Sequence, residues 1–329
     1  MVSGDFSNKT IYGVKSDAAR HFWAGYFIFV LVSSFVGDTI ILIASIRYKA
    51  FKLQKLIVVI IQHIAVCDLI VTCVSAFTRI VTLIADDWIL GTPLCHIVPT
   101  VAYYSVPVGV LLIWAMTTCK LLLLMYPLRV QSLGKRHAHM VCAAMWLSAV
   151  SVPVMILLID PNDVKFSFKV YLCDYFFSAP QWILLTPIIS AIVFFIPNAL
   201  VVFNTIAILI VAHKFARRGR ESLKWQGVIT TVLVALVYCI SLLPYSIHRF
   251  AESSVDERHG WFHHEFARIG YFSLYINTIS NFYIYCLTVA SFRKFLWSRI
   301  HRMLPCMSKR RNGASTQNTI DIPTTSRQR

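Results

Sequence analysis

Two aspartates stand inside long apolar runs, where a carboxylate has few roles open to it. Asp38 lies in the run 23–46 and Asp68 in the run 56–81. An ionised acid at the middle of a bilayer costs at least about 2.5 kcal/mol, so such an acid marks a functional site by default. The alternative is a protonated acid that is hydrogen-bonded and purely structural.

One further group has the residue types of a metal site. His259, His263, His264 and Glu265 lie in a polar segment between two apolar runs, and this spacing could hold zinc. A loop without fixed geometry rarely does so, and a solvated polar loop is the favoured interpretation. No nucleophile–base pair or metal-ligand cluster occurs in the apolar runs, so we expect no enzyme activity, no metal and no cofactor.

The composition predicts a membrane protein. Of 329 residues, 57% are apolar and 14% charged, and the mean hydropathy is +0.65. Each apolar run reaches the ~20 residues that a helix needs to cross a bilayer, and backbone groups in lipid must bond within their own helix. The sequence therefore predicts an all-α membrane protein, a bundle of seven helices at 23–46, 56–81, 95–126, 140–159, 182–212, 228–248 and 269–289.

The net charge of +16 reflects orientation rather than nucleic-acid binding. If alternate loops lie on opposite sides, nine Lys/Arg fall on the amino-terminal side and twenty-two on the other. This positive-inside bias predicts an extracellular amino terminus and a cytoplasmic carboxyl terminus in the plasma membrane. Asn8, in an Asn-x-Thr sequon, is a candidate glycosylation site on the outer side.

The third run has landmarks at characteristic spacing. Trp88, Gly91 and Cys95 form Trp-x-x-Gly-x-x-x-Cys, Lys120 follows Cys95 by 25 residues, and Pro127 stands after the run. This pattern resembles the third helix of rhodopsin-like (class A) G-protein-coupled receptors. In that family the Lys120 position carries the arginine of Asp-Arg-Tyr.

The resemblance covers nearly the whole bundle, from Gly37 to Phe292. Positions that agree with the family are Asp68, Trp88, Cys95, Pro127, Leu128, Trp146, Pro197, Pro244, Asn281 and Tyr285. Positions that depart from it at the family's switch motifs are Cys119, Lys120, Lys224, Leu242 and Phe282.

The resemblance implies two structural features. Cys95 and Cys173 would form a disulfide on the oxidising side of the membrane. Asp68 would anchor a water-and-sodium cluster, although Gly109 replaces the serine expected from the third helix. Its other members would be Asp38, Asn277, Thr278 and Asn281. If Asp38 lies near Asp68, one of the two acids should be neutral at pH 7.

The resemblance also constrains the ligand. Ala102 stands where amine receptors carry an aspartate, and Tyr275 stands where opsins carry the retinal lysine. A neutral, anionic or peptide ligand is therefore favoured over a biogenic amine. Candidate ligand-binding residues are Arg79, Tyr103, Val106, Tyr175, Tyr245, His248, Arg249, Tyr271 and Tyr275. The alternative is that these are ordinary interfacial aromatics and snorkelling cations.

The expected organisation is an extracellular segment 1–22, the bundle 23–290, an amphipathic eighth helix 291–304 on the lipid bilayer and a disordered tail 305–329. Cys306 is a candidate palmitoylation site. The implied partners are an extracellular ligand and a heterotrimeric G protein, with arrestin and a receptor kinase at the tail. The altered switch motifs leave two alternatives: a receptor-like protein that couples poorly to G protein, and a membrane transporter.

Overall fold

The computed structural model describes residues 16–47, 55–159, 164–168, 170–175, 181–217, 225–251 and 260–303. In this described part, seven long helices form the bundle and an eighth follows it: α1 (Asp17–Arg47), α2 (Lys55–Ala85), α3 (Gly91–Met125), α4 (Lys135–Ala149 and Ser151–Ile159), α5 (Gln181–Ser190, Ala191–Phe195 and Ile196–Arg217), α6 (Trp225–Ala251), α7 (Gly260–Thr288) and α8 (Ala290–Met303). A short helix, Pro127–Ser132, lies between α3 and α4, and strands β1 (Val164–Ser167) and β2 (Leu172–Tyr175) lie between α4 and α5.

Six helices among the described residues, α1 to α6, are long and apolar enough to cross a membrane. The seventh predicted run, 269–289, lies in α7, which has 29 residues. Its interior carries the polar side chains Asn277, Thr278 and Asn281, so α7 is long enough to span but less apolar than predicted. Large apolar side chains such as Ile240 and Leu287 are 70% and 77% exposed, as a lipid-facing surface requires.

Helix α3 lies at the centre of the bundle. It packs against α2, α4, α5, α6 and both strands. Its side chains Val108, Leu112 and Ile113 are fully buried in the main apolar core. Because of this position, α3 contributes side chains to any pocket at the centre of the bundle.

Two glycines allow close helix contacts. A Cβ on Gly37 of α1 would lie 2.7 Å from Cβ of Phe282 in α7. A Cβ on Gly270 of α7 would lie 3.2 Å from backbone atoms of Pro244 and Tyr245 in α6. Helix α7 is thereby held tightly between α1 and α6, and its polar side chains are directed into the bundle.

Strands β1 and β2 form an antiparallel hairpin that closes one end of the bundle, called here the hairpin end. Strand β2 is joined to α3 by the predicted disulfide between Cys95 and Cys173, which is confirmed. The hydroxyl of Thr82 donates to the carbonyl of Tyr171 at 2.7 Å, and the Tyr171 hydroxyl donates to Asp86 at 3.2 Å. These contacts hold the hairpin across the ends of α2 and α3.

Candidate ligand-binding site

A pocket lies beneath the hairpin, between α2, α3, α6 and α7. The space between these helices is about 870 Å³ when the open mouth is included. Six of the nine predicted ligand-binding residues line it: Arg79, Tyr103, Val106, Tyr245, Tyr271 and Tyr275.

Two predicted residues lie one layer behind the lining. Tyr175 shares a 2.8 Å hydrogen bond with the Thr100 hydroxyl, and its ring lies 5.6 Å from that of Tyr103. His248 is buried, with its ring 5.9 Å from that of Tyr271. Both therefore support lining tyrosines. The side chain of Arg249, the ninth residue, lies outside the described part of the chain.

Arg79 is the cation of the pocket and is only 2% exposed. It follows the π-helical turn Thr72–Ala76 of α2, and such a turn changes the direction in which the following side chains point. Its guanidinium carbon lies between 5.3 and 5.8 Å from the centres of four aromatic rings, those of Phe27, Tyr271, Phe272 and Tyr275.

This aromatic cage, formed by Phe27, Tyr271, Phe272 and Tyr275, does not satisfy the hydrogen-bonding capacity of Arg79. Each cation–π contact contributes roughly 0.5–2 kcal/mol, but a ring face accepts no conventional hydrogen bond. Among the described residues, Nε and Nη1 of Arg79 have no hydrogen-bond partner. A buried guanidinium with free N–H groups is suited to an acceptor that enters the pocket.

The pocket also contains an acid that the sequence reasoning missed. Asp174 of β2 lines it and accepts a 2.8 Å hydrogen bond from the Tyr271 hydroxyl. Its other oxygen accepts from the backbone N–H of Tyr175 at 2.9 Å. The sequence does contain a signal for Asp174 as a pocket residue: it directly follows Cys173, and the disulfide of Cys173 brings this stretch over the bundle.

The floor of the pocket reaches the intramembrane acids. Asp68 lines the floor and accepts a 2.8 Å hydrogen bond from the Asn281 side chain. Asp38 is fully buried and accepts from Ser34 at 2.7 Å, and Ser34 also lies 2.9 Å from the Thr72 hydroxyl oxygen.

Ser34 and Thr72 therefore extend the predicted polar cluster, and neither was anticipated. Asn277 and Thr278, the other predicted members, line the pocket. The atoms Asp38 Oδ1 and Asn281 Oδ1 have no hydrogen-bond partner among the described residues. Such oxygen atoms are hard donors that fit a small cation or a proton.

The predicted switch residues lie in and beneath this floor. Leu242 is 2% exposed and lines the pocket. Tyr285 is buried near the start of α8, with its ring 6.3 Å from that of Phe292. Lys120 is 3% exposed, and among the described residues it makes no hydrogen bond or ion pair. Cys119, beside it, is half-buried.

The remaining predicted residues are peripheral or undescribed. Pro127 and Leu128 begin the short helix after α3 and are exposed. Asn8, Lys224 and Cys306 lie outside the described residues. His259, the first of the four candidate zinc ligands, also lies outside them. The side chains of His263, His264 and Glu265 are also outside the described part.

A family comparison decides the class of protein. The model of the 7 transmembrane receptor (rhodopsin family) matches residues 37–285. The chain belongs to this family. It is therefore a multi-pass membrane receptor with a seven-helix bundle, and the family is one of receptors rather than enzymes. Receptors of this family act through an extracellular ligand and a G protein.

Individual relatives are distant. The chain is 25% identical over 212 residues to proteinase-activated receptor 1 of Bos taurus, covering 59% of this chain and 46% of the relative. It is 24% identical over 135 residues to neuropeptide Y receptor type 5 of Rattus norvegicus, covering 41% and 30%. It is 22% identical over 238 residues to the QRFP-like peptide receptor of Branchiostoma floridae, covering 67% and 61%. The matches thus span less than two thirds of each of these relatives.

Proposed function

We propose that the protein is a receptor for an extracellular ligand whose acidic group binds Arg79 in the pocket beneath the hairpin. The observation that carries this proposal is the buried guanidinium, which faces the pocket with two nitrogen atoms lacking hydrogen-bond partners among the described residues. An unpaired buried charge costs several kcal/mol, and a carboxylate or phosphate on the ligand would remove that cost on binding.

The rest of the lining is consistent with an acidic ligand. No described side chain forms an ion pair with Arg79. The hydroxyl oxygens of Ser75 and Ser105 and Oδ1 of Asn277 are buried on the pocket wall without hydrogen-bond partners in the described part of the structure. Such groups can fix a polar ligand in one orientation.

The names of two relatives favour a peptide as the source of that acid. One is described as a neuropeptide Y receptor and one as a QRFP-like peptide receptor. A peptide can present an acidic side chain or a terminal carboxylate. A small organic acid has the same chemistry, and a screen can separate the two.

We assign the hairpin end to the outside of the cell and the opposite end to the cytoplasm, from the excess of Lys and Arg near the latter. A G protein would then bind at the end that carries Pro127, Leu128 and α8. Arrestin and a receptor kinase would act on the tail 305–329. Glycosylation at Asn8 and palmitoylation at Cys306 fit the same orientation.

The test is a ligand screen on cells that express the full chain, read by second-messenger reporters. Peptides and small acids form the library, and the binding affinity of each hit is then measured directly on purified Arg79→Gln, Arg79→Lys and Arg136→Gln receptors. A hydrogen bond to a charged group contributes about 1.5–3 kcal/mol, so Arg79→Gln should weaken an acidic ligand about tenfold to a hundredfold. Arg136 is an exposed arginine of α4 and its variant should bind normally.

Two results would contradict the proposal. One is a ligand without any acidic group whose potency is unaffected by Arg79→Gln. The other is an acidic ligand that loses the same affinity in Arg136→Gln as in Arg79→Gln.

A second candidate function rests on the altered switch. Lys120, Leu242 and Phe282 replace family residues, and this second candidate is a receptor that binds ligand but couples poorly to G protein. An agonist-independent G-protein assay on surface-matched cells distinguishes the two. Ligand binding without G-protein activation at saturation would favour this second function.

A further inference from the structure

We propose that the occupant of the pocket is a zwitterion, with its acidic group on Arg79 and a protonated amine on Asp174. This inference rests on the proposed function and adds to it the chemistry of the ligand's second end. The ligand class is a short peptide with a free amino terminus and a free carboxyl terminus, or an amino acid whose two charged groups are several bonds apart.

The pocket keeps two opposite charges on its wall without pairing them. Arg79 and Asp174 both line it, and the ion pairs among the described residues do not join them. Tyr271 lies between the two charges. The Arg79 guanidinium carbon is 5.8 Å from its ring centre, and its hydroxyl donates to Asp174 at 2.8 Å.

The two charges are held apart by their own neighbours. Rings from α1 and α7 surround the guanidinium, so Arg79 is fixed on the side of the pocket next to those helices. Asp174 is fixed on the hairpin by the N–H of Tyr175 and the hydroxyl of Tyr271. Because opposite charges in a medium of low dielectric attract strongly, a ligand that reaches both sites gains at each end.

Asp174 retains room for such a contact. A carboxylate offers about four acceptor positions, and two of them are used by the described hydrogen bonds. Lys165 is the register partner of Asp174 in the hairpin, but its side chain is exposed. An ammonium group inside the pocket would therefore approach Asp174 from the side away from solvent.

The arrangement also selects against singly charged ligands. A simple amine would bind Asp174 but would bring a positive charge into the pocket that already contains unpaired Arg79. A simple acid would satisfy Arg79 but leave Asp174 with no cation. Because Tyr271 contacts both charged groups, we take a dipeptide, whose charges are farther apart than those of an α-amino acid, as the test ligand.

The experiment uses the purified full-length receptor and four forms of one dipeptide scaffold, tested over a panel of apolar side chains. The forms are the free dipeptide, its N-acetyl derivative, its carboxyl amide and the doubly blocked N-acetyl amide. Ligand-induced thermal shift gives the affinity of each form. We expect the free dipeptide to bind best, and acetylation and amidation each to weaken binding at least tenfold.

Two variants assign the two ends. Asp174→Asn keeps an oxygen that can accept from Tyr271, and in this variant the free and N-acetyl forms should bind equally well. In Arg79→Gln the acid and amide forms should bind equally well, while the preference for a free amine should remain.

Each alternative outcome has one interpretation. If acetylation has no effect while amidation still weakens binding, the zwitterion is refuted and the acidic ligand on Arg79 stands. If amidation has no effect in the wild-type receptor, the contact with Arg79 is refuted, and with it the proposed function. If no form shifts the melting temperature at millimolar concentration, the zwitterion is refuted, and the cell-based screen against Arg79→Gln decides the proposed function separately.

Discussion

The indole N–H of Trp146 in α4 donates to Nδ1 of His63 in α2 at 3.2 Å. An indole nitrogen can only donate, so Nδ1 of His63 is the acceptor and Nε2 carries the proton. That Nε2 lies 3.2 Å from Nδ1 of His139 in α4, which must then be the acceptor of a second hydrogen bond. The two bonds coexist only while both imidazoles are neutral.

We predict that this histidine pair makes the stability of the receptor sensitive to acid. A protonated imidazole has no acceptor nitrogen, so protonation of either ring would break one of these two hydrogen bonds, and an imidazole in water gains a proton below about pH 6.5. The stabilisation is therefore present at neutral pH and lost as the pH falls, at about 1 kcal/mol for each hydrogen bond. The melting temperature of the purified receptor should fall between pH 7.5 and pH 5.5.

The same measurement on variants locates the effect. His139→Ala keeps the bond from Trp146 and should lose part of the acid sensitivity, while His63→Asn should lose most of it. His96→Ala in α3, which changes a histidine at the hairpin end, is the matched control and should keep the wild-type drop. An equal drop in wild type and His63→Asn would show that the pair does not set the pH response.

The sequence predicted those parts of the fold that depend on local composition. Apolar length gave the helices, and the placement of Cys95 and Cys173 with the family resemblance gave the disulfide. The greater polarity of α7 is visible in the sequence at Asn277 and Asn281, but the length of an apolar run does not reflect it. The β-hairpin and the π-helical turn Thr72–Ala76 depend on tertiary packing, which overrides local propensity.

The candidate site was anticipated only in part, for a related reason. Arg79 could be placed near the mouth of the bundle from its position in the second run. The aromatic cage around Arg79 could not be predicted in this way, because Phe27 and Phe272 come from helices that are far apart in the sequence. Ser34 and Thr72 gave no signal either, since hydroxyl side chains in apolar helices commonly bond to their own backbone. Thr72 does so as well, to the Asp68 carbonyl at 2.7 Å.

We predict that Asp38→Asn stabilises the receptor at pH 7.5. Asp38 is fully buried with Oδ1 unpaired in the described structure, and Asp68 lies in the same cluster. The variant removes one of two acids and keeps a side-chain oxygen that can accept the hydrogen bond from Ser34. Removal of a poorly compensated buried acid should contribute about 1–2 kcal/mol.

The pH dependence of that gain provides the check. The unfolded chain ionises this acid at neutral pH, so keeping it buried in the folded receptor costs more at pH 7.5 than at pH 5.5. The difference in melting temperature between wild type and Asp38→Asn should therefore shrink at pH 5.5. Ser34→Ala, which removes the hydrogen bond to Asp38 and keeps the acid, serves as the comparison and should destabilise. A lower melting temperature for Asp38→Asn than for wild type at pH 7.5 would contradict the prediction.

The last prediction concerns Lys120, where the family carries an arginine that an adjacent aspartate holds in the resting state. Here the adjacent residue is Cys119, and Lys120 makes no ion pair among the described residues. Lys224 lies outside the described residues and replaces the glutamate that many relatives have, so this position supplies no acid either. Loss of such a restraint shifts a two-state equilibrium by about 1–2 kcal/mol, or roughly tenfold in population, so basal activity should be raised.

Three variants measure the two opposing effects of this substitution. Cys119→Asp supplies the missing acid and should lower basal second-messenger output, while Cys119→Ser removes the thiol without adding charge and should leave it unchanged. Lys120→Arg should raise agonist-driven output, because the planar guanidinium makes hydrogen bonds to a G protein that an ammonium cannot. Surface expression is matched by antibody labelling in all cells. If Cys119→Asp and Cys119→Ser give the same basal signal as wild type, the absence of an acid beside Lys120 does not control the resting state.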